Sequence, residues 1–374
     1  MKKIIILTGE PLTMYTERIL CINEFIKEGF NVEYWDCSQY FYLGLSLSDS
    51  VLRDYIFKIK TLHDLRDAFS IINIQDAIFI LGAAMRWKYQ TFFKLLSQKQ
   101  CVFIKIDYYA NTSIKIPLKE QIKIIFSSRF LELLKREMMN ITFSYYNKYI
   151  NGFKYMYYLT SSSIVTSTHK INHPDYEEYQ EYIKAQTLTP HMRYIIFSDI
   201  YFPFHPDLKY FLAYRVFSNP KEYWKTLTNF FDYLENRFNM PVIIAAHPKS
   251  EYKGNEFGNR EIVKYKSCEL IANSQFVVTH TSNSISFAVL ANKPTIFITT
   301  NGIKQYKGFN SHLYSLAKFF QKCVYNIDKI NYDSISISEI PFNIREKYIY
   351  DYLTSKEIQN QSNQQILCNL FKGI

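Results

Sequence analysis

A short polar segment follows an apolar run in the second half of the chain, and its residue types suit phosphate binding. His247, Pro248 and Lys249 come shortly after the apolar residues 242–245. An imidazole N–H can donate a hydrogen bond to a phosphate or a nucleotide hydroxyl, and an ammonium group adds positive charge. The proline fixes the turn. Because open α/β sheets bind ligands at the carboxyl ends of their strands, this placement predicts that the segment contacts a ligand.

A second polar segment, HTSNS at residues 280–284, separates an apolar strand from a helix. Hydroxyls, free backbone N–H groups and the positive end of the helix dipole together make an anion site. Helix capping alone would account for one such hydroxyl. Two polar segments at neighbouring strand ends favour a phosphate site that includes Thr281, Ser282 and Ser284. Glu269, at the start of the preceding helix, is either a ribose or base contact or an ordinary helix-start carboxylate.

The strands that would position these segments are indicated by apolar runs that alternate with helical stretches. Uninterrupted apolar strands between helices are typical of parallel sheets that are covered on both faces. We therefore predict an α/β fold with two Rossmann-like domains. The predicted strands of the first domain are residues 4–7, 31–35, 77–81 and 102–106, and those of the second are residues 194–197, 242–245, 276–279 and 295–298.

The predicted domain boundaries follow changes in composition. Residues 1–160 form the N-terminal Rossmann-like domain, and residues 161–340 form the C-terminal one, which begins with the polar stretch 161–190. Residues 341–374 are predicted to form helices that pack back across both domains. Further helices are predicted at residues 15–28, 87–98 and 220–238, the last with Pro220 well placed in its first turn.

Length and composition fit this organisation. The chain has 374 residues, of which 48% are hydrophobic, and this is enough for two cores of ordinary size. A net charge of +10 suits an anionic partner. The basic residues are scattered and no nucleic-acid-binding motif is present, so nucleic acid is not an expected partner. The six cysteines form no CxxC motif or Cys/His cluster, so we expect neither a metal site nor a disulfide framework.

The chain shows no targeting or membrane-spanning pattern. The apolar run at residues 4–7 is too short for a signal peptide, and no apolar stretch reaches the roughly 20 residues of a membrane-spanning helix. We therefore expect a cytoplasmic protein. The stretch 116–158 is basic and aromatic, which suits contact with anionic lipid at the inner face of the membrane, or equally a solvated helix on the first domain. Its basic residues include Lys119, Lys123, Arg129 and Lys135.

Residues 194–298 resemble bacterial surface-polysaccharide glycosyltransferases of the GT-B fold, such as those of capsule and O-antigen synthesis. The resemblance is carried by the segments IIAAHPKSEY, VVTHTSNSISFAVL and KPTIFIT. The HP element followed by a Ser/Thr element is similar to motifs of bacterial sialyltransferases and Kdo transferases, which use CMP-activated sugars. The resemblance implies that His247 contacts the donor phosphate, and that Thr281 and Ser282 hold it from the other side, with Ser284 as a further contact.

The resemblance also implies a reaction. The C-terminal domain would hold a nucleotide sugar, first of all CMP-linked Kdo or a nonulosonic acid, and the N-terminal domain a surface glycan or lipid-linked acceptor, across an interdomain cleft. UDP- and GDP-sugars stay open as donors. Two alternatives also remain: a CDP-glycerol-type polyol-phosphate transferase, and a non-catalytic nucleotide- or glycan-binding partner in polysaccharide assembly.

Two departures bear on cofactors. Only 10 glycines are present and no glycine-rich loop follows the first strand, so a dinucleotide or Walker site is unsupported. No DxD-like pair has the context of a metal site. We therefore expect metal-independent transfer without a cofactor, in which helix dipoles and basic side chains neutralise the leaving phosphate.

An inverting transfer needs a carboxylate or a histidine near the acceptor hydroxyl. Asp107 and Glu10 follow predicted strands of the first domain and are the main candidates for this base, with Asp36 as a further one. Each has an alternative role as a helix cap or as the partner of a lysine. Asp199 and His205 follow the first strand of the second domain and face the same cleft. His205 is a candidate donor or acceptor contact, or an ordinary loop histidine.

Overall fold

A computed structural model describes residues 2–83, 86–108, 138–139, 141–143, 145–185, 193–202, 204–205 and 219–374, apart from the side chain of Lys307. Within these residues the chain forms two parallel β-sheets, each flanked by helices. The prediction of an α/β fold with parallel sheets is confirmed.

The first sheet has seven parallel strands in the described part of the chain. They are β1 (Lys3–Thr8), β2 (Asn31–Asp36), β3 (Ile56–Lys58), β4 (Ala77–Gly82), β5 (Val102–Asp107), β6 (Tyr157–Thr160) and β7 (His169–Lys170). Their order is β3-β2-β1-β4-β5-β6-β7. Residues 4–7 of β1, an interior strand, are all fully buried, so both faces of the sheet are covered there. The last strand of this sheet, β7, comes after residue 160, where the sequence predicted the first domain to end.

The second sheet has six parallel strands among the described residues. They are β8 (Ile195–Ser198), β9 (Val242–Ala246), β11 (Ile262–Lys264), β12 (Val277–Thr279), β13 (Thr295–Thr299) and β14 (Val324–Asn326), and a short β10 (Glu256–Asn259) lies outside the sheet. Their order is β11-β9-β8-β12-β13-β14. The chain passes from β8 to β9 on one side and later returns to β12 on the other, which opens a crevice at the carboxyl ends of these strands.

The helix Pro220–Phe238 has the predicted bounds, and local sequence explains both ends. Pro220 occupies the first helical position, and the side chain of Asn219 accepts a hydrogen bond from the backbone N–H of Glu222 at 3.2 Å. Asn239 ends the helix in the left-handed conformation, with a φ of 51°. The other longer helices are Leu62–Ser70, Gln90–Ser97, Pro174–Ala185, Lys307–Phe319 and Asn363–Gly373, and the shorter ones are Ser38–Phe41, Ser267–Asn273, Ile285–Leu290, Asn301–Lys304 and Phe342–Tyr348.

The prediction of one continuous helix at 15–28 is wrong. The structure has two helices, Met14–Ile19 and Ile22–Lys27, separated by Cys21, whose φ of 53° is left-handed and cannot continue an α-helix. The apolar spacing runs unbroken through this position, so the sequence pattern gave no sign of the interruption.

The C-terminal segment contacts both halves of the molecule. Tyr348 and Leu353 are buried in the core of the second domain. The helix Asn363–Gly373 instead packs on the first domain, where the rings of Phe371 and Phe25 lie 5.1 Å apart and Lys372 pairs with Glu28 at 2.7 Å. The segment therefore crosses from one domain to the other.

Candidate functional site

The two histidines that follow β8 and β9 are in contact. His205 Nε2 and His247 Nε2 lie 3.2 Å apart, and the ring centroids are separated by 4.4 Å. Nδ1 of His247 accepts a hydrogen bond from the backbone N–H of Lys249 at 3.1 Å. A neutral His247 therefore carries its proton on Nε2 and donates it to His205.

The charge state of His247 follows from its surroundings. Burial lowers the pKa of His247 to about 3, and the charges of His205, Lys249 and Lys264 act in the same direction. The ring is therefore neutral at physiological pH. Burial is the main cause, and the smaller contribution of the neighbouring lysines is a positive charge that also attracts an anion.

The turn after β9 holds His247 in place. The backbone N–H of Ser250 donates to the carbonyl oxygen of His247 at 2.9 Å, which closes a tight turn over residues 247–250. Pro248 occupies the second position of this turn, where its fixed φ is favoured. The turn thus places His247 and Lys249 directly after the carboxyl end of β9.

Asp199, which follows β8, lies beneath this turn. It is 2% exposed, and its Oδ2 accepts a hydrogen bond from the hydroxyl of Tyr252 at 2.8 Å. Burial raises the pKa of Asp199 to about 6, against the opposing effect of the Tyr252 hydroxyl and nearby backbone amides. The adjacent Tyr201 has a left-handed φ of 52°. Asp199 is therefore buried beneath the loop, which it supports by hydrogen bonding, and is not exposed at the surface of the loop.

The HTSNS segment is mostly engaged within the protein. His280 is fully buried: its Nδ1 donates to the carbonyl oxygen of Ile298 at 2.7 Å, and its Nε2 accepts from the hydroxyl of Tyr223 at 3.0 Å. Burial lowers the pKa of His280 to about 4, so the ring stays neutral. These contacts make His280 part of the core.

The hydroxyls of this segment lie close to one another. Ser282 Oγ accepts from the backbone N–H of Ser284 at 3.2 Å and donates to Ser284 Oγ at 3.0 Å. Thr281 and Ser282 are 9% and 5% exposed. The helix that follows is only Ile285–Leu290. The segment follows β12, which is the neighbour of β8 in the sheet.

Glu10 of the first domain also reaches this site. It follows β1, and its Oε2 lies 3.9 Å from Nζ of Lys249. The Glu10 side chain is 44% exposed. A carboxylate of one domain therefore faces an ammonium group of the other.

The other predicted residues lie elsewhere. Asp107 accepts a hydrogen bond from the hydroxyl of Tyr158 at 2.9 Å and forms an ion pair with Lys105, which is the lysine-partner alternative. Asp36 accepts from the backbone N–H of Ser38 at 2.9 Å and caps the turn after β2. Glu269 is exposed in the first turn of its helix. The residues Lys119, Lys123, Arg129 and Lys135 lie outside the described residues.

A buried pair where the domains meet was missed by the sequence analysis. Nδ1 of His173 accepts from the backbone N–H of Asp175 at 3.1 Å, and burial lowers the pKa of His173 to about 3. Burial raises the pKa of Asp175 to about 7, opposed by Ser286 of the second domain and by the charge of Arg18 from the first. The dipeptide at 173–174 was the only signal, and such a dipeptide is too common to be specific.

Among the described residues, no group of three or more His, Cys, Asp or Glu side chains is placed to hold a metal ion. None of the helices in that part of the chain is long and apolar enough to cross a membrane.

Comparison with known proteins defines the fold. No protein-family model and no curated protein matches the sequence. Solved structures do match. The wall teichoic acid polymerase TagF is similar with a TM-score of 0.50 and 11% identity, over 100% of this chain and 89% of that one. The calicheamicin glycosyltransferase CalG4 is similar with a TM-score of 0.50 and 9% identity, over 100% and 98% of the two chains.

The fold is GT-B-like. The predicted pair of Rossmann-like domains with parallel sheets is therefore confirmed. At these levels of identity the similarity concerns architecture alone.

Proposed function

We propose that the chain is a transferase that moves a glycosyl group from a nucleotide-activated donor to a surface glycan or a lipid-linked acceptor. The observation that carries this proposal is the contact between His205 and His247, with Lys249 beside it, at the carboxyl edge of the second sheet. In an open α/β sheet this edge is where ligands bind. The GT-B-like fold supports the proposal, since it is shared with a glycosyltransferase and a wall teichoic acid polymerase.

The histidine pair suits a phosphate in a defined way. The Nε2 proton of His247 points at His205 Nε2, which is an acceptor. A phosphate oxygen that takes the place of this acceptor would receive the same proton and would lie close to the ammonium of Lys249. Hydrogen bonds to a charged group are stronger than neutral ones. The hydroxyls of Thr281, Ser282 and Ser284, on the neighbouring strand end, would then hold the phosphate from the other side.

Glu10 is the proposed base. It is the carboxylate that the first domain presents opposite Lys249, and nearly half of its side chain is open to solvent. When the donor phosphate attracts Lys249, Glu10 can accept the proton of the acceptor hydroxyl. Asp107 is the second candidate, although its ion pair with Lys105 and its hydrogen bond from Tyr158 compete for the same oxygens.

The proposed donor carries a cytidine nucleotide. A CMP-linked donor, such as Kdo or a nonulosonic acid, is the first candidate because of the HP and Ser/Thr motifs. A polyol-phosphate donor of the CDP-glycerol type is the second, and the similarity in fold to a wall teichoic acid polymerase favours it. Both reactions need stabilisation of the charge on a leaving phosphate, which the ammonium of Lys249 and the N–H of the neutral His247 would supply without a metal.

Nucleotide binding separates these candidates. Thermal unfolding of the full chain with CMP, CDP, UDP and GDP should show stabilisation by a cytidine nucleotide, since ligand at 100 times its dissociation constant adds about 2.7 kcal/mol. Turnover of CMP-linked sugar or of CDP-glycerol then identifies the group transferred. Stabilisation without turnover of any donor would favour a non-catalytic binding partner, and no stabilisation by any nucleotide would refute the proposal.

Contact with the membrane is a further part of the proposal. Among the described residues between 138 and 156, several large apolar side chains are exposed, and the same stretch contains the exposed Lys148 and Lys154. Apolar and aromatic groups beside lysines suit the interface of an anionic bilayer. With a net charge of +10, the protein is attracted to such a surface. The exposed residues are Met138, Met139, Ile141, Tyr145, Tyr149, Ile150 and Met156.

A further inference from the structure

Two hydroxyl groups of the first sheet hold the backbone of Glu10. The hydroxyl of Tyr34 donates to the carbonyl oxygen of Glu10 at 2.9 Å, and Oγ1 of Thr8 lies 2.8 Å from the same oxygen. Oγ1 of Thr8 also lies 2.7 Å from the Tyr34 hydroxyl, and the backbone N–H of Glu10 donates to it at 3.4 Å. The peptide groups on both sides of Glu10 are therefore tied into one small network.

Tyr34 is suited to this role by its place in the first sheet. It lies in β2, where its register partner in β1 is Ile6, and its side chain is fully buried. Its ring packs in the apolar cluster that also contains Ile4 and Ile6, which restricts its movement. Burial raises the pKa of the Tyr34 hydroxyl, so the group keeps its proton and remains a hydrogen-bond donor. The hydroxyl is thus a fixed donor at the end of β1.

The residue before Glu10 is closely packed as well. A Cβ atom at Gly9 would lie 3.3 Å from Cε2 of Tyr42 and 3.5 Å from Cδ2 of Phe41, so glycine lets the backbone approach these two rings. The backbone at residues 9 and 10 is therefore held by packing on one side and by hydrogen bonds on the other. The side chain of Glu10, in contrast, is 44% exposed.

A fixed backbone restricts where the carboxylate of Glu10 can reach. Oε2 of Glu10 lies 3.9 Å from Nζ of Lys249 in the second domain. The flexible side chain keeps this position only while its Cα–Cβ bond points toward that domain, and the planar peptide groups on either side set the direction of this bond. Such placement matters for chemistry, since a displacement of about 1 Å can cost about 10² in rate.

We propose that Tyr34 is a positioning residue for Glu10: by holding the carbonyl oxygen of Glu10, it directs the carboxylate toward the acceptor hydroxyl. Thr8 completes the same network. Tyr34 is buried and acts on the reaction only through Glu10. This inference rests on the proposed transferase function, in which Glu10 is the base, and deepens it by assigning the residues that fix the position of that base.

Release of CMP by the full chain tests the assignment, because transfer from CMP-linked Kdo and transfer from CDP-glycerol both liberate CMP. Tyr34→Phe keeps the ring and removes the hydroxyl, so we expect kcat to fall about tenfold while the dissociation constant for CMP is unchanged. Tyr108→Phe is the matched control and should keep the wild-type kcat. The hydroxyl of Tyr108 donates to the carbonyl oxygen of Ile19 at 3.0 Å, and its ring packs against the same apolar cluster.

A double-mutant cycle separates positioning of Glu10 from a general loss of structure. If Tyr34 acts through Glu10, Tyr34→Phe should lower the rate by less than about twofold in the Glu10→Gln background. An equal loss in both backgrounds would overturn the proposal. Should Tyr34→Phe fail to fold, Thr8→Val and Thr8→Ser replace it: the valine variant loses the hydroxyl and should be slow, whereas the serine variant keeps it and should be as fast as the wild type. Equal rates for these two variants overturn the proposal as well.

Chemical cross-linking measures the position of Glu10 without turnover. A carbodiimide joins a carboxylate to a neighbouring amine as an amide and is itself hydrated to a urea. Mass spectrometry quantifies the amide between Glu10 and Lys249, and its yield should fall in Tyr34→Phe but not in Tyr108→Phe. Equal yields in the two variants would overturn the positioning role, even if neither donor releases CMP. Loss of CMP binding with the expected cross-linking pattern would instead refute the proposed function alone.

Discussion

Oε2 of Glu10 and Nζ of Lys249 lie 3.9 Å apart, so the segment after β1 in one domain meets the segment after β9 in the other. An ion pair as exposed as this one contributes little to stability, about 0–1 kcal/mol. Each charge can therefore exchange its partner for a substrate group at small cost. A phosphate competes for Lys249, and an acceptor hydroxyl competes for Glu10.

Glu10→Gln should separate binding from chemistry. A general base typically contributes about 10²–10⁴ in rate, so kcat is expected to fall by that factor while the dissociation constant for nucleotide is kept. Glu24→Gln, at a partly exposed glutamate of the same domain, is the control. Steady-state kinetics together with calorimetry provide both quantities, and a kcat like that of the wild type would remove Glu10 from the mechanism.

His247→Ala should weaken nucleotide binding by about 1.5–3 kcal/mol, the range for a hydrogen bond to a charged group. The effect is expected in the dissociation constant measured by calorimetry. His63→Ala, which removes an exposed imidazole of the first domain, should leave nucleotide binding unchanged. A folded His247→Ala protein with wild-type affinity would contradict the assignment of the phosphate to the histidine pair.

Asp199→Asn should change the pH dependence of stability. Burial raises the pKa of Asp199 from 3.8 to about 6, so between these values the folded state holds a proton that the unfolded chain has released. This contribution stabilises the wild type as pH falls, by up to about 3 kcal/mol relative to Asp199→Asn between about pH 8 and pH 4. Urea unfolding across this range measures the difference, with the exposed Asp54→Asn as the control substitution. A difference that stays constant with pH would show that Asp199 titrates normally.

Transfer activity should persist in EDTA, because in the proposal the charge of Lys249 and the hydrogen bond from His247 stabilise the leaving phosphate. The assay compares initial rates with and without chelator, using the donor that the nucleotide screen identifies. Loss of activity that Mg²⁺ or Mn²⁺ restores would point to a metal-dependent site instead.

Binding to anionic liposomes should depend on the exposed apolar residues between 138 and 156. Replacing Tyr145, Tyr149 and Ile150 with serine is expected to reduce co-sedimentation, and high salt should reduce it further by screening the basic residues. Ile71→Ser, at a residue that is 77% exposed elsewhere in the first domain, is the matched control. Equal flotation of the triple variant and the wild type would exclude this surface as the contact.

Much of the fold could be predicted because the information is local. The apolar residues 4–7 defined β1, and Asn219 with Pro220 defined the start of a long helix, since burial and capping act over a few residues. The break in the helix at Cys21 could not be predicted from the sequence, because the pattern of apolar residues does not determine the backbone conformation at that position.

The site was predicted less completely, since its roles depend on contacts between distant residues. The HP segment indicated a ligand edge, but its partner His205 is 42 residues away and emerges only when β8 and β9 pair. Asp107 looked available until β6 brought Tyr158 alongside it. Likewise His280 seemed a ligand-segment residue, and the contact with Tyr223 places it in the core.

The helix Asn363–Gly373 bears on how the molecule acquires its structure during translation. Leu367 and Phe371 belong to the same buried cluster as Ile4 and Phe25, although more than 300 residues separate them in the chain. On the ribosome, the N-terminal domain therefore emerges with one part of its apolar core uncovered, and it stays so until this helix has been synthesised. The second domain must form while the first is still incompletely packed. Nascent chains arrested before residue 363 should accordingly be more sensitive to protease in the first domain than the released protein.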